Sequence, residues 1–243
     1  MTSLRAIIHA IDEGLSDRRL IEVYYDKGRM GKISKEVGYL RAVSGKYGFE
    51  LIESDAENIE KMTLGTTHGG IIARASERTV PRLSEEKINP DGFYVMLQGI
   101  EDPYNFGYSL RSLYAVGCDG VVLDERNWLS AAGVVARSSA GASELLPFFT
   151  ASATDAVDIF SRVGYKVVMA DLRTDNTLGD TPLPYPIFLV VGGEKRGLSA
   201  ELLKKADTLV KIPYARDFHA SLSAASATTM LAYEIMRQRR NKF

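Results

Sequence analysis

Apolar positions along this chain recur with helical spacing in some stretches and as short continuous runs in others, and the two kinds alternate. In LRAIIHAIDEGL (4–15), Leu4, Ile7, Ile8, Ile11 and Leu15 fall at helical spacing and predict a helix ending near Gly14. RLIEVYYD (19–26) predicts a strand. In the basic segment that follows, Ile33, Val37, Leu40 and Val43 share one helical face, which predicts a second helix ending at Gly45. FELIES (49–54) then predicts a strand, AENIEKM (56–62) a short helix and GGIIARASE (69–77) another strand. Residues 1–78 therefore make a small α/β unit with apolar faces of its own.

Periodicity is lost in RTVPRLSEEKINPDG (78–92), which carries two prolines and many charges and predicts a linker over 79–92. Beyond it, 93–243 forms a second domain. FYVMLQGI (93–100) predicts a buried strand, 106–116 a helix, GVVLDE (120–125) a strand, and 130–138 and 154–163 two helices. YKVVMADL (165–172) and IFLVVGGE (187–194) predict strands, SAELLKKA (199–206) a helix, TLVKIP (208–213) a strand, and 222–240 a long final helix. A fully apolar run such as IFLVV expects burial on both faces, as in a parallel sheet covered by helices.

Composition changes this picture little. Of 243 residues, 45% are hydrophobic and 25% charged, enough for a sizeable core, and the net charge of −1 gives no global basic footprint for nucleic acid. The lone Cys118 excludes an intramolecular disulfide, and His9, His68 and His219 lack metal-ligand spacing, so a reducing cytoplasm and no metal are expected. The N-terminal apolar stretch and YPIFLVVGG are both too short to span a bilayer as a helix, so no membrane association is expected.

Three stretches carry candidate chemistry, each at the end of an expected strand. In DPYNFGYSLRS, Asp102 or Asn105 can cap the next helix and Gly107 permits a close approach. The helix N-terminus and Arg111 can together form an anion site. VVGGEKRGLS lacks both the Rossmann and the Walker A glycine spacing, and its paired glycines suggest backbone groups that meet a flat ligand. IPYARDFHASLSAASA runs from a strand through a polar loop into a helix of small residues, where Ser221 and Ser223 are N-caps or ligands to a substrate.

In this order, the three stretches resemble the motifs of the SpoU (TrmH-like) RNA ribose methyltransferases, over most of 93–240. The resemblance implies a SPOUT-type α/β fold with a trefoil-knotted parallel sheet, S-adenosylmethionine as cofactor, and a homodimer that methylates a ribose 2′-hydroxyl of rRNA or tRNA. It implies catalytic roles for Arg111, Asn105 and Glu194, and cofactor contacts from Gly192, Gly193, Gly197, Ile212 and Leu222. The N-terminal unit resembles the family's RNA-binding domain, with Gly69 after His68 where glutamine is usual.

RNA contacts are then expected from His68, Arg18, Arg29 and Lys32, with Arg19, Lys27, Lys35 and Lys46 beside them, and from Ser221 and Ser223. One departure stands out: the third motif reads Ser221-Leu222-Ser223 where the family generally has Ser-Leu-Asn, and its loop is one residue longer. That motivates an alternative, a non-catalytic RNA-binding protein on the same fold. An ordinary nucleotide-binding α/β enzyme is disfavoured by the missing fingerprints.

Overall fold

A computed structural model describes residues 3–63, 68–124, 131–193, 196–217 and 219–240. By contacts the chain divides into two compact units, Thr2–Thr79 and Val80–Phe243.

The first unit contains α1 (Ser3–Asp12), β1 (Leu20–Asp26), α2 (Met30–Tyr47), β2 (Glu50–Ser54), α3 (Ala56–Lys61) and β3 (Ile71–Ala75). Its sheet has the order β2-β1-β3, with β1 parallel to β2 and antiparallel to β3. Ile8, Leu20, Val23, Leu40 and Phe49 form its core. The expectation that α2 ends at Gly45 is corrected: Gly45 continues the helix, and Gly48 ends it in the left-handed region (φ 68°), its N–H donating to the Ser44 carbonyl. A mid-helix glycine costs only about 1 kcal/mol, whereas the left-handed cap needs a residue without a Cβ.

The second unit contains β4 (Phe93–Gln98), α4 (Pro103–Ala115), β5 (Gly120–Leu123), α5 (Ala132–Ser138), α6 (Ala142–Leu145), β6 (Phe148–Thr150) and α7 (Ala153–Arg162). It continues with β7 (Lys166–Ala170), β8 (Ile187–Gly192), α8 (Ala200–Leu203), β9 (Thr208–Val210) and α9 (Ala224–Arg240). The six strands are all parallel, in the order β6-β5-β4-β8-β7-β9.

Strand side chains alternate between two layers. Phe93, Val95, Leu97 and Leu189 face Leu110, Leu113, Leu231 and Ile235 of α4 and α9. Tyr94, Met96, Phe188 and Val190 face Val157 and Phe160 of α7 and Leu202 of α8. The Phe160 and Phe188 rings stack at 4.0 Å between centroids. This double coverage explains the fully buried run of β8 from Ile187 to Val191.

Residues expected as a linker are packed. Leu83 and Ile88 are buried, Arg82 bridges to Thr150, and the Leu83 N–H donates to the Thr150 carbonyl at 3.0 Å. The short strand β6 and helix α6 went unpredicted, because three and four residues are too few to show a period. The expected strand 208–213 is shorter, ending at Val210. Lys211 then meets a second partner on its outer side: its N–H donates to the Asn176 carbonyl at 2.9 Å, and its carbonyl accepts from Leu178 at 2.8 Å. The chain leaving β9 thus runs with β7 on one side and residues 176–178 on the other.

Candidate active site

The carboxyl ends of neighbouring parallel strands are where α/β sheets bind ligands. Here β4 and β8 are adjacent, with Gln98 opposite Gly192, so the first and second motifs emerge side by side. They touch through backbone: a Cβ added to Gly193 would lie 2.3 Å from the Gly99 carbonyl oxygen and 2.8 Å from its carbon. A Cβ on Gly192 would lie 2.7 Å from the Gly197 carbonyl carbon and 2.9 Å from the Leu198 nitrogen. Gly197 turns the chain back (φ 59°), donating its N–H to the Gly193 carbonyl at 3.0 Å. The paired glycines are therefore required by this chain's own close approaches, which corrects the expectation that a flat ligand requires them. Glu194 lies outside the described residues.

The first motif folds as a capped helix entry. Asp102 accepts from the Tyr104 and Asn105 N–H groups at 3.1 and 3.2 Å, with Pro103 in the first turn. Because the helix starts at Pro103 instead of 106, Arg111 is about 12 Å along its axis, at 1.5 Å per residue. The expected joint anion site is thereby corrected: the helix N-terminus is filled by the Asp102 carboxylate, and Arg111 stands away from it. Arg111 is exposed and makes no hydrogen bond or ion pair with a described residue. Half-buried Asn105 lies six positions earlier, about 120° round the helix from Arg111, so the two side chains leave different faces of α4.

Gly107 meets protein, not ligand: a Cβ there would fall 1.8 Å from Ser138 Oγ, so α5 crosses α4 at this point.

The third motif reaches the first through helix packing. Thr229 Oγ1 on α9 donates to Ser112 Oγ on α4 at 2.7 Å. Ser223 caps α9: its Oγ accepts from the Ser226 N–H at 3.1 Å, and its carbonyl from the Ala227 N–H at 2.9 Å. Ser221 is exposed and Leu222 half-buried.

Ile212 is only 9% exposed, yet its backbone N–H and C=O meet no partner among the described residues. Buried backbone groups are almost always hydrogen-bonded, so these two groups stand out in the loop. The Leu222 N–H donates to Tyr214 Oη at 3.2 Å, and the Leu222 carbonyl has no partner among the described residues. Tyr214 was not singled out from the sequence; a bond spanning eight loop residues leaves no periodic trace.

In the first unit, the sequence-expected RNA contacts separate by their existing bonds. Arg18 donates to the Ser76 carbonyl at 2.6 Å, Arg29 pairs with buried Asp26 at 3.4 Å, and Lys46 with Asp12 at 2.7 Å. Lys27, Lys32 and Lys35 are exposed, without an ion pair among the described residues, as is Arg19. His68 is half-buried. Its Nδ1 accepts from the Gly70 N–H at 3.1 Å, and its buried Nε2 has no partner among the described residues. Among the described residues no His, Cys, Asp and Glu group could hold a metal, and no helix is long and apolar enough to cross a membrane.

The second unit is an α/β domain with a parallel sheet covered on both faces, in which the first two motifs meet through backbone at the carboxyl ends of β4 and β8. Residues 92–233 match the SpoU rRNA Methylase family, and the chain belongs to that family of RNA-methylating enzymes. It is 29% identical over 242 residues, 96% of each chain, to the 23S rRNA (guanosine-2′-O-)-methyltransferase RlmB of Pasteurella multocida. A solved RNA 2′-O ribose methyltransferase superposes with TM-score 0.81 at 24% identity, covering 98% of this chain and 86% of that one. AviRb of Streptomyces viridochromogenes, a SpoU methyltransferase solved with its cofactor AdoMet, gives TM-score 0.76 at 25% identity over 99% and 89%. Family membership favours the catalytic reading over a non-catalytic RNA-binding protein.

Proposed function

We propose that this protein methylates a ribose 2′-hydroxyl in ribosomal or transfer RNA, using S-adenosylmethionine held by the loops after β8 and β9. The observation that carries the reading is Arg111, an exposed guanidinium with no partner among the described residues. It stands on the helix leaving β4, whose end abuts the turn at Gly192 and Gly193. AviRb, solved with AdoMet, supports the cofactor, and the RlmB name supports the 2′-hydroxyl.

Bound S-adenosylmethionine supplies a methyl group on a sulfonium, already activated for transfer. The open peptide of Ile212 and the Leu222 carbonyl offer one donor and two acceptors to hold it, and Gly192, Gly193 and Gly197 shape the facing wall. Arg111 stabilises the oxyanion that develops as the hydroxyl proton leaves to an RNA phosphate or solvent. A guanidinium stays protonated below about pH 12 and has no acceptor, so electrostatic stabilisation suits it better than general base catalysis. Asn105, Ser221 and Ser223 face the ribose side, and Glu194 orients the second loop.

RNA is held further by the first unit. Lys27, Lys32 and Lys35 supply salt-sensitive phosphate contacts, with further contacts from His68, Arg18 and Arg29. The fold likeness to a solved RNA 2′-O ribose methyltransferase supports a chain threaded as a trefoil knot, with Val210 paired to β7 and Lys211 to residues 176–178 where the segment leaves β9. It works as a homodimer through exposed Tyr104 and Tyr108 of α4 and Met230 and Tyr233 of α9.

The test is incubation with labelled S-adenosylmethionine and unmodified total RNA, followed by mapping of 2′-O-methyl sites. Wild type labels one ribose, and Arg111→Ala lowers the rate by about 10²–10³-fold, the size of losing one oxyanion donor. Absence of label in every RNA, or label on a base, overturns the reading.

A further inference from the structure

The loop joining β9 to α9 is held at three points. At its start, Val210 is paired with β7, and the next residue, Lys211, is paired on the other side with Asn176 and Leu178. At its end, Ser223 caps α9. Between these anchors, the hydroxyl of Tyr214 accepts the Leu222 N–H at 3.2 Å, tying together residues eight positions apart. The Tyr214 ring is partly buried against the core layer that contains Ile212, Val210 and Leu231.

These facts divide the polar groups of the loop. The Leu222 N–H is consumed inside the protein, while its carbonyl and both backbone groups of Ile212 meet no described partner. A peptide plane is rigid, so fixing one side of the plane that holds the Leu222 N–H also fixes the start of that residue. Without the link, Leu222 would hang between Pro213 and Ser223 on a flexible arc, and a cofactor would have to order it on binding. Ordering a residue costs about 1–2 kcal/mol of conformational entropy.

We propose that Tyr214 is a positioning residue for the methyl donor: its hydroxyl pre-orders the Leu222 peptide so that the adjacent carbonyl and the Ile212 backbone present a finished edge to the cofactor. The inference rests on the reading that places S-adenosylmethionine against Ile212 and Leu222. It adds a side chain that touches neither cofactor nor RNA, and acts through the loop alone.

Tyr214→Phe keeps the buried ring and deletes only the acceptor. Calorimetric titration with S-adenosylmethionine is expected to show about 5–10-fold weaker binding, the scale of one lost hydrogen bond of about 1 kcal/mol. In steady state, KM for S-adenosylmethionine rises by the same factor while kcat at saturating cofactor stays within twofold, and RNA affinity in filter binding is unchanged. A merely structural role would lower the melting temperature and kcat instead of splitting them from KM.

Ile212→Pro separates the two levels of the argument. It removes a backbone N–H that has no partner among the described residues, at a position that follows the extended Lys211. If Ile212→Pro weakens S-adenosylmethionine binding and folded Tyr214→Phe does not, the clasp is wrong and the cofactor site stands. If neither folded variant changes the affinity, the placement of the cofactor on this loop fails and the clasp falls with it.

Discussion

Replacing Gly107 by alanine sets two effects of opposite sign against each other. Alanine is the better helix former by about 1 kcal/mol, so α4 viewed alone should be stabilised. In the folded chain, however, the new Cβ would lie 1.8 Å from Ser138 Oγ, 2.9 Å from Ser138 Cβ and 3.1 Å from the Ser139 nitrogen. Turning the hydroxyl away relieves only the first contact, and breaks its bonds to the Val134 and Val135 carbonyls at 2.9 and 3.3 Å. The other two atoms are fixed by the α5 backbone, so the helices must part. Overpacking of this kind costs about 1–3 kcal/mol, which leaves a net loss of up to about 2 kcal/mol after the propensity gain.

For a unit of this size a loss on that scale lowers the melting transition by up to about 8 °C in scanning calorimetry of the full chain. Ser138→Gly removes the two closest atoms, so the Gly107→Ala penalty should shrink by about 1 kcal/mol or more in that background, measured as a double-mutant cycle. Because α4 also carries Arg111, methyl transfer should fall further than stability does. A Gly107→Ala protein that melts at or above the wild-type temperature refutes the packing argument.

Three further outcomes follow from local geometry. Ser223→Ala removes the α9 cap and should cost about 1 kcal/mol, while Ser223→Asn, also a good cap, restores the melting temperature; equal melting of all three proteins would discount the cap. Glu22 is held down to about pKa 2 by its bonds to Arg74 and Tyr24. Its contribution is therefore complete above the ordinary carboxylate value of 4.5 and lost as pH falls towards 2; Glu22→Gln should flatten the acid limb of the first unit's unfolding, and an unchanged limb would contradict this. Burial pushes the Cys118 thiol up to about 12, so an aromatic disulfide reagent at pH 8 should label it only as fast as the chain opens; prompt stoichiometric labelling of native protein would overturn that.

Much of the local structure was legible in the chain. The cap at Asp102 was one of two candidates, and the apolar run of β8 announced its two buried faces. Where the sequence reading missed, backbone geometry or a contact outside the motif decided. Gly45 looked like a helix end because glycine ends helices, but only the backbone at Gly48 takes the left-handed turn. The glycine pair at 192 and 193 looked like a ligand surface, yet the Gly99 carbonyl and the Gly197 turn already demand both. Arg111 and the helix N-terminus looked like one anion site because the helix was expected to begin three residues later.

The sequence by itself determined the alternation of helices and strands, the order of three loop motifs and the residues able to cap, turn or carry charge. These depend on neighbours within about four positions, whose spacing is written along the chain. Tertiary structure alone decided that β8 lies against β4, that α9 bonds to α4 through Thr229 and Ser112, and that Tyr214 holds Leu222. The physical reason is that strand order and loop clasps are settled by pairings between distant segments. Their loop-closure entropy grows only slowly with separation, so periodicity cannot say which partner wins.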